Sequence, residues 1–355
     1  MKAKKWCIAV LFTYLFIMIG IGVLVFVVDP YFHYHAPIRG LSHELNNTMY
    51  QNDGVIKNFD YNAMIIGTST TFGFNAEEAG KLFGKEFVRI TYLGEGFKRI
   101  NLALQKAIAY NNELSFVIRG VDPIWFVTDT NYTGYSEYPD YLYDNVLWND
   151  VNYIFNKDIL INDVISVVCR TLSLKDDTSN KKNMTVIYTS DDNEGDALQR
   201  YTRPPKEEKI IEQSETDEFF RLLKQNMGEN VFSTIEANPD ITFYIFIPPY
   251  SICWWDSINQ YGVSVLERRI SMEKYVIEEL LKYNNVRLFS FSNNYELTCN
   301  MNNYIDEIHY KEEVNSKILS WLQNGKYELT KDNYLNYLSD ITEFYSNYNY
   351  DSLFE

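Results

Sequence analysis

Three residues of this sequence have the types and spacing to do chemistry: a serine near the beginning, and an aspartate and a histidine near the end. Ser69 lies in Gly67-Thr68-Ser69-Thr70-Thr71, directly after the short apolar run 63–66. A glycine there lets the chain turn sharply where a side chain would clash. Helical periodicity starts near Asn75, so the hydroxyls fall between a buried strand and a helix. In open α/β sheets ligands bind at that carboxyl edge, and a helix N-terminus offers amides to a developing oxyanion. Ser69 has the position of a nucleophile, although Thr68, Ser69 and Thr70 could equally cap the helix. His309 is the only histidine after position 43, and Asp306 precedes it by three residues. On a helical turn that spacing puts both side chains on one face. The carboxylate would then orient the imidazole while the imidazole takes a proton from a serine.

Alternation of short apolar runs with amphipathic stretches supplies the elements that must position these groups. Strands are expected at 63–66, 87–91, 114–118, 241–247 and 286–291, and helices at 75–83, 97–110, 215–237, 263–283 and 312–323. Strands separated by helices imply an α/β domain with a parallel, doubly wound sheet. Residues 128–214 break the rhythm and read as an insertion, either a lid or a mixed subdomain; they are rich in Asn, Asp and Tyr, Tyr135 among them. The expected layout is a cytoplasmic 1–5, a membrane anchor at 6–28, a connector at 29–59, the α/β domain at 60–325 and a tail at 326–355.

Residues 6–28 carry no charge and follow Lys2, Lys4 and Lys5. That length spans a bilayer, the lysines favour a cytoplasmic N-terminus, and Val27-Val28-Asp29-Pro30 offers no small-x-small cleavage site. The expected location is the cell membrane, single-pass, with the main domain outside the cytoplasm. His33 and His35 alternate as neighbours on one extended face could, among interfacial aromatics. A formal charge of −16 argues against nucleic acid. Four cysteines with no C-x-x-C spacing give no disulfide framework; one bridge among Cys169, Cys253 and Cys299 stays open. No metal or other cofactor is expected.

The chemistry-bearing blocks resemble the SGNH/GDSL hydrolase superfamily. Gly67-Thr68-Ser69 is similar to its Gly-Asp-Ser, with Thr for Asp. Gly94 fits the glycine after the second strand, and Asp306-x-x-His309 matches the last block. Gly120-Val121-Asp122 stands where Gly-x-Asn-Asp would be and lacks the asparagine donor. The resemblance covers about 60–323 without the insertion. The anchor and relaxed first block look more like the subgroup near the D-alanyl-lipoteichoic acid protein D and the envelope polysaccharide O-acyl enzymes. It implies a flavodoxin-like three-layer sandwich with Ser69 as nucleophile, His309 as general base and Asp306 as its orienter. The amides of Ser69 and Gly94 would form the oxyanion hole. Thr68, Asp122, Tyr250 and Ser251 are candidates for the substrate pocket. The implied activity is an acyl-ester hydrolase or O-acyltransferase acting on an envelope glycan or glycopolymer. The alternative is a catalytically weak or inactive scaffold that binds such a polymer or an acyl-transfer partner. The implied partners are the membrane, an acylated glycan and a membrane acyltransferase.

Overall fold

The computed structural model describes residues 2–45, 47–134, 138–173, 197–207 and 209–354. Tyr135 and residues 174–196 of the expected insertion lie outside the described residues. The chain divides into two units, Met1–Asp60 with Glu137–Met184, and Tyr61–Ser136 with Thr185–Glu355.

The second unit holds the sheet. Its strands are β1 (Ala63–Gly67), β2 (Phe87–Thr91), β3 (Phe116–Gly120), β4 (Thr242–Ile247), β5 (Val286–Ser290) and β6 (Glu328–Leu329). They lie in the order β2-β1-β3-β4-β5-β6. The first five are parallel, as expected, and β6 adds an antiparallel edge that the two residues involved do not announce. β3 starts two residues later than expected, because Leu114 and Ser115 are held in the preceding turn by bonds to Asn111 and Asn62. β1 is wholly buried, which explains an apolar run without alternation. Each of Met64, Ile65 and Ile66 contributes about 1.5–3 kcal/mol by burial.

Helices fill the crossovers. Ala76–Phe83 begins at Asn75, whose side chain accepts from the Glu77 and Glu78 amides at 2.8 and 3.1 Å. It ends at Gly84, whose φ of +66° only glycine adopts without strain. Phe97–Tyr110 buries Ile100, Leu104 and Ala107 on one side. Gln213–Met227 continues through a π-helical turn, Gly228–Phe232, into Ser233–Ala237. Val263–Leu280 joins β4 to β5. After Gly325 the chain adds β6 and the helix Tyr334–Asn347. That helix docks through Tyr345, which stacks on Trp255 at 3.9 Å between ring centroids.

The first unit is built on the helix Lys2–Val28, of which Ala3–Val28 is long and apolar enough to cross a membrane. Its end is tied down by Asp29, which is fully buried. The Asp29 carboxylate accepts the His33, Tyr34 and His35 amides at 3.0, 2.8 and 3.1 Å and the Tyr153 hydroxyl at 2.7 Å. This turn replaces the extended conformation expected at His33 and His35. His33 faces Asp150 at 3.2 Å, whereas His35 faces the Phe26 carbonyl at 2.8 Å. All four cysteines are free.

Candidate active site

β1, β3 and β4 are adjacent and parallel, so their carboxyl ends leave the sheet on one edge. Ser69, Asp122 and Tyr250 follow those three ends within a few residues. Register alone therefore brings them together. β2 ends beside β1, with Thr91 opposite Gly67, and the Leu93-Gly94 turn leaves next to the serine turn.

Gly67 closes β1 with Thr71 folded back over it. A Cβ on Gly67 would lie 2.5 Å from the Thr71 Cγ2, and one on Gly120 would lie 2.8 Å from the same methyl. Close approach is what requires a glycine at both places. A short 3₁₀ turn, Ser69–Thr71, follows. From Ala63 to Phe72 every residue except Ser69 is buried, so the turn presents one side chain to solvent.

Ser69 Oγ lies 2.7 Å from His309 Nε2. His309 Nδ1 lies 2.6 Å from Asp306 Oδ2. The other Asp306 oxygen accepts the Ile308 and His309 amides at 2.9 and 2.8 Å. The carboxylate is thus fixed by backbone as well as by imidazole. Asp306 and His309 are not on a helical turn as expected. They sit in a loop pinched by a bridge between Tyr304 and Tyr310, and the Ile305 amide donates to the His309 carbonyl at 2.8 Å. An aspartate that caps its own loop meets a side chain three residues on as readily as a helix does.

Tyrosines and a serine fasten this loop. The Tyr310 hydroxyl donates to the Thr70 carbonyl at 2.7 Å, linking it to the serine turn. The Tyr304 hydroxyl donates to Pro249 at 2.9 Å. Ser251 donates through its amide and its hydroxyl to the Glu307 carbonyl, at 3.0 and 2.8 Å.

The four residues expected to line a substrate pocket are all buried. Thr68, Asp122, Tyr250 and Ser251 are between 0% and 2% exposed. The Asp122 side chain makes no capping hydrogen bond to the turn that follows it. One of its carboxylate oxygens accepts from Thr68 and, at 2.9 Å, from Thr70. The other accepts the Tyr250 hydroxyl at 2.9 Å. Thr68, standing where the resemblance would put aspartate, therefore donates to a carboxylate supplied by β3. Thr70 belongs to this network directly and Tyr310 joins it through the Thr70 carbonyl; neither had a sequence signal beyond adjacency to Ser69 and His309.

Burial pushes the His309 imidazole down, but the hydrogen bond and charge of Asp306 and the charge of Asp122 outweigh it and hold it above its usual value. Burial pushes Asp306 up, and the His309 bond and charge with the two amides outweigh that and hold it low. Asp122 is raised by burial, against the opposing pull of its three hydroxyl donors. The arrangement can pass a proton from a serine hydroxyl to an imidazole and stabilise the resulting cation. Among the described residues, the Ser69 and Gly94 amides donate no hydrogen bond to the chain, so both can meet an anion. Gly94 has a φ of +69°. Among the described residues no cluster of His, Cys, Asp and Glu has the makings of a metal site.

No protein-family model and no curated protein matches this sequence. A solved chain described as a candidate platelet activating factor from Streptococcus pneumonia aligns at 10% identity with a TM-score of 0.38. The alignment covers 80% of this chain and 93% of that one. At that level the likeness is no evidence about activity.

Proposed function

We propose that this chain is a membrane-anchored serine acyl-ester hydrolase or O-acyltransferase of the SGNH type, acting outside the cytoplasm on an envelope glycan or glycopolymer. The observation that carries the reading is the unbroken contact Ser69 Oγ–His309 Nε2 at 2.7 Å and His309 Nδ1–Asp306 Oδ2 at 2.6 Å. The strand order β2-β1-β3-β4-β5 supports a flavodoxin-like layering, since it is the doubly wound order whose ligands sit at the β1/β3 switch point. Ser69 lies at that point.

In this reading Ser69 attacks an acyl carbonyl while His309 takes its proton. The oxyanion is met by the Ser69 and Gly94 amides, at about 3 kcal/mol per donor in comparable sites. His309 then protonates the leaving alcohol, and Ser69 holds the acyl group as an ester. Water, or a sugar hydroxyl deprotonated by the same imidazole, attacks that ester and restores the serine. The helix Ala3–Val28 is the anchor, and a membrane acyltransferase that delivers the acyl group is the partner this chemistry implies. Hydrolase and transferase differ only in whether the second nucleophile is water or an acceptor hydroxyl.

The purified full chain in detergent should release acetate from an aryl acetate, and Ser69→Ala should reduce the rate to background. A fluorophosphonate probe should label the wild type at Ser69 alone. Equal rates in the two proteins would remove the assignment. The scaffold reading draws on Gly120-Val121-Asp122, which supplies no side-chain oxyanion donor; polymer binding without fluorophosphonate labelling would favour it.

A further inference from the structure

The unit that carries the N-terminal helix has a core of Val25, Val28 and Tyr31 with Leu142, Tyr153, Ile159 and Val164. Contacts reach further back along the helix. Ile21 packs against the same core, and a Cβ on Gly22 would touch Ile154 at 3.6 Å. Ile21 lies about two turns, or about 10 Å, before Val28.

That distance places the packed elements relative to a bilayer. A hydrocarbon core of about 30 Å takes about 20 helical residues. Counted from Trp6, just beyond Lys4 and Lys5, it ends near Val25. Groups touching Ile21 and Gly22 therefore sit at or inside the boundary between acyl chains and headgroups.

These elements expose several large apolar side chains, with the polar Asn152, Lys157, Asp158 and Asn162 also exposed among them. Leu147 is 78% and Trp148 93% exposed. The helical run from Ile159 to Ser173 buries Ile159, Val164 and Val167. Its other side exposes Ile161, Ile165, Cys169 and Leu172, spaced by four, four and three residues. Such spacing makes one stripe along a helix, and exposed apolar faces of this kind mark an interaction site. Its charged neighbour Arg170 is directed elsewhere, to Glu44 and the Ser42 carbonyl at 3.1 and 3.0 Å.

We propose that this run is an interfacial membrane helix. The stripe of Ile161, Ile165 and Leu172 lies in the acyl chains of the leaflet from which the N-terminal helix emerges, and Trp148 anchors at the headgroups. Lipid is the occupant because the stripe belongs to elements packed on the helix at bilayer depth, and because a tryptophan as exposed as Trp148 suits the interfacial belt. The proposal rests on reading Ala3–Val28 as a membrane span.

The test uses the full chain with Cys7→Ser and Cys299→Ser, which leaves Cys169 as the exposed thiol, in phosphatidylcholine vesicles. A nitroxide on Cys169 should be relaxed by oxygen and shielded from a water-soluble nickel complex, with nickel accessibility at least threefold below a control label at Lys331→Cys. A label at Leu172→Cys should behave like that at Cys169. Independently of any cysteine change, brominated phosphatidylcholine should quench wild-type tryptophan emission more than that of Trp148→Phe. Protein that fails to float with the vesicles after alkaline washing refutes the span, and this proposal with it. Protein that floats but leaves Cys169 as open to nickel as the control refutes the interfacial helix alone. Shielding in native membranes but not in pure lipid would assign the face to a protein partner and overturn the lipid assignment.

Discussion

The pair Asp306–His309 should control the pH response of the site. His309 must be neutral to accept the Ser69 proton, and Asp306 and Asp122 hold its proton on more firmly than in a free imidazole. The rising limb of kcat/KM should therefore lie above the ordinary histidine value of about 6.5. Asp306→Asn removes the hydrogen-bond acceptor and the charge that raise it. That variant should move the limb to lower pH and cut kcat by about 10³–10⁴-fold, as an orienting carboxylate does in comparable triads. Asp122→Asn keeps the shape but loses a charge, so it should move the limb the same way with a smaller loss of rate. A limb unmoved by either change would detach both carboxylates from the imidazole. For stability the signs are opposite. The raised His309 stabilises the fold fully below its unfolded value, and that contribution fades as pH rises through the folded one. The depressed Asp306 contributes above its unfolded value and loses it as pH falls through the folded one. Asp122→Ala is a different case, since it strands the hydroxyls of Thr68, Thr70 and Tyr250. It should cost about 3 kcal/mol in chemical denaturation.

At the scale of elements, the serine turn depends on what can lie over the end of β1. Gly67→Ala would drive a methyl into the Thr71 Cγ2, and overpacking of that kind costs about 1–3 kcal/mol. Thr71→Ser deletes that methyl while keeping the hydroxyl that donates to Thr68 at 2.8 Å. The double variant should recover most of the loss, and additive denaturation midpoints would show that the clash is not the reason for the glycine. The five parallel strands could be read from sequence because each is a short apolar run beside an amphipathic helix. β6 could not, since two residues carry no period. In the Tyr- and Asn-rich tail the sequence suggests no more than a few helical turns, and the structure forms Tyr334–Asn347 with Leu338, Ile341 and Tyr345 buried at helical spacing. Ser69 and His309 stood out as a hydroxyl at a strand end and the sole late imidazole. The loop that carries Asp306 did not, because an i, i+3 spacing suits a helix and a self-capped loop alike. Nor did the buried hydroxyls around Asp122, since Thr68, Thr70 and Tyr250 have the composition of caps and core until β1, β3 and β4 are set side by side.

For the molecule as a whole, the charge distribution bears on which side of a membrane the site faces. Lys2, Lys4 and Lys5 precede the uncharged stretch 6–28, whereas Asp29 and no lysine or arginine before Arg39 follow it. Positive charge close to a span is retained in the cytoplasm, which would send the sheet unit outward. The Asp29 carboxylate gathers three amides and a tyrosine hydroxyl at the end of the helix, so the span is joined to its own unit by an ordered turn. Ser69 should then be reachable from outside an intact cell. A sulfonated fluorophosphonate that cannot cross membranes should label the full chain in whole cells, and Ser69→Ala should remove that labelling. Replacing the three lysines by glutamate should lower the externally labelled fraction, because the charge bias that orients the helix is reversed. Labelling that arises only after lysis would put the site in the cytoplasm, and an envelope glycan could not then be its substrate.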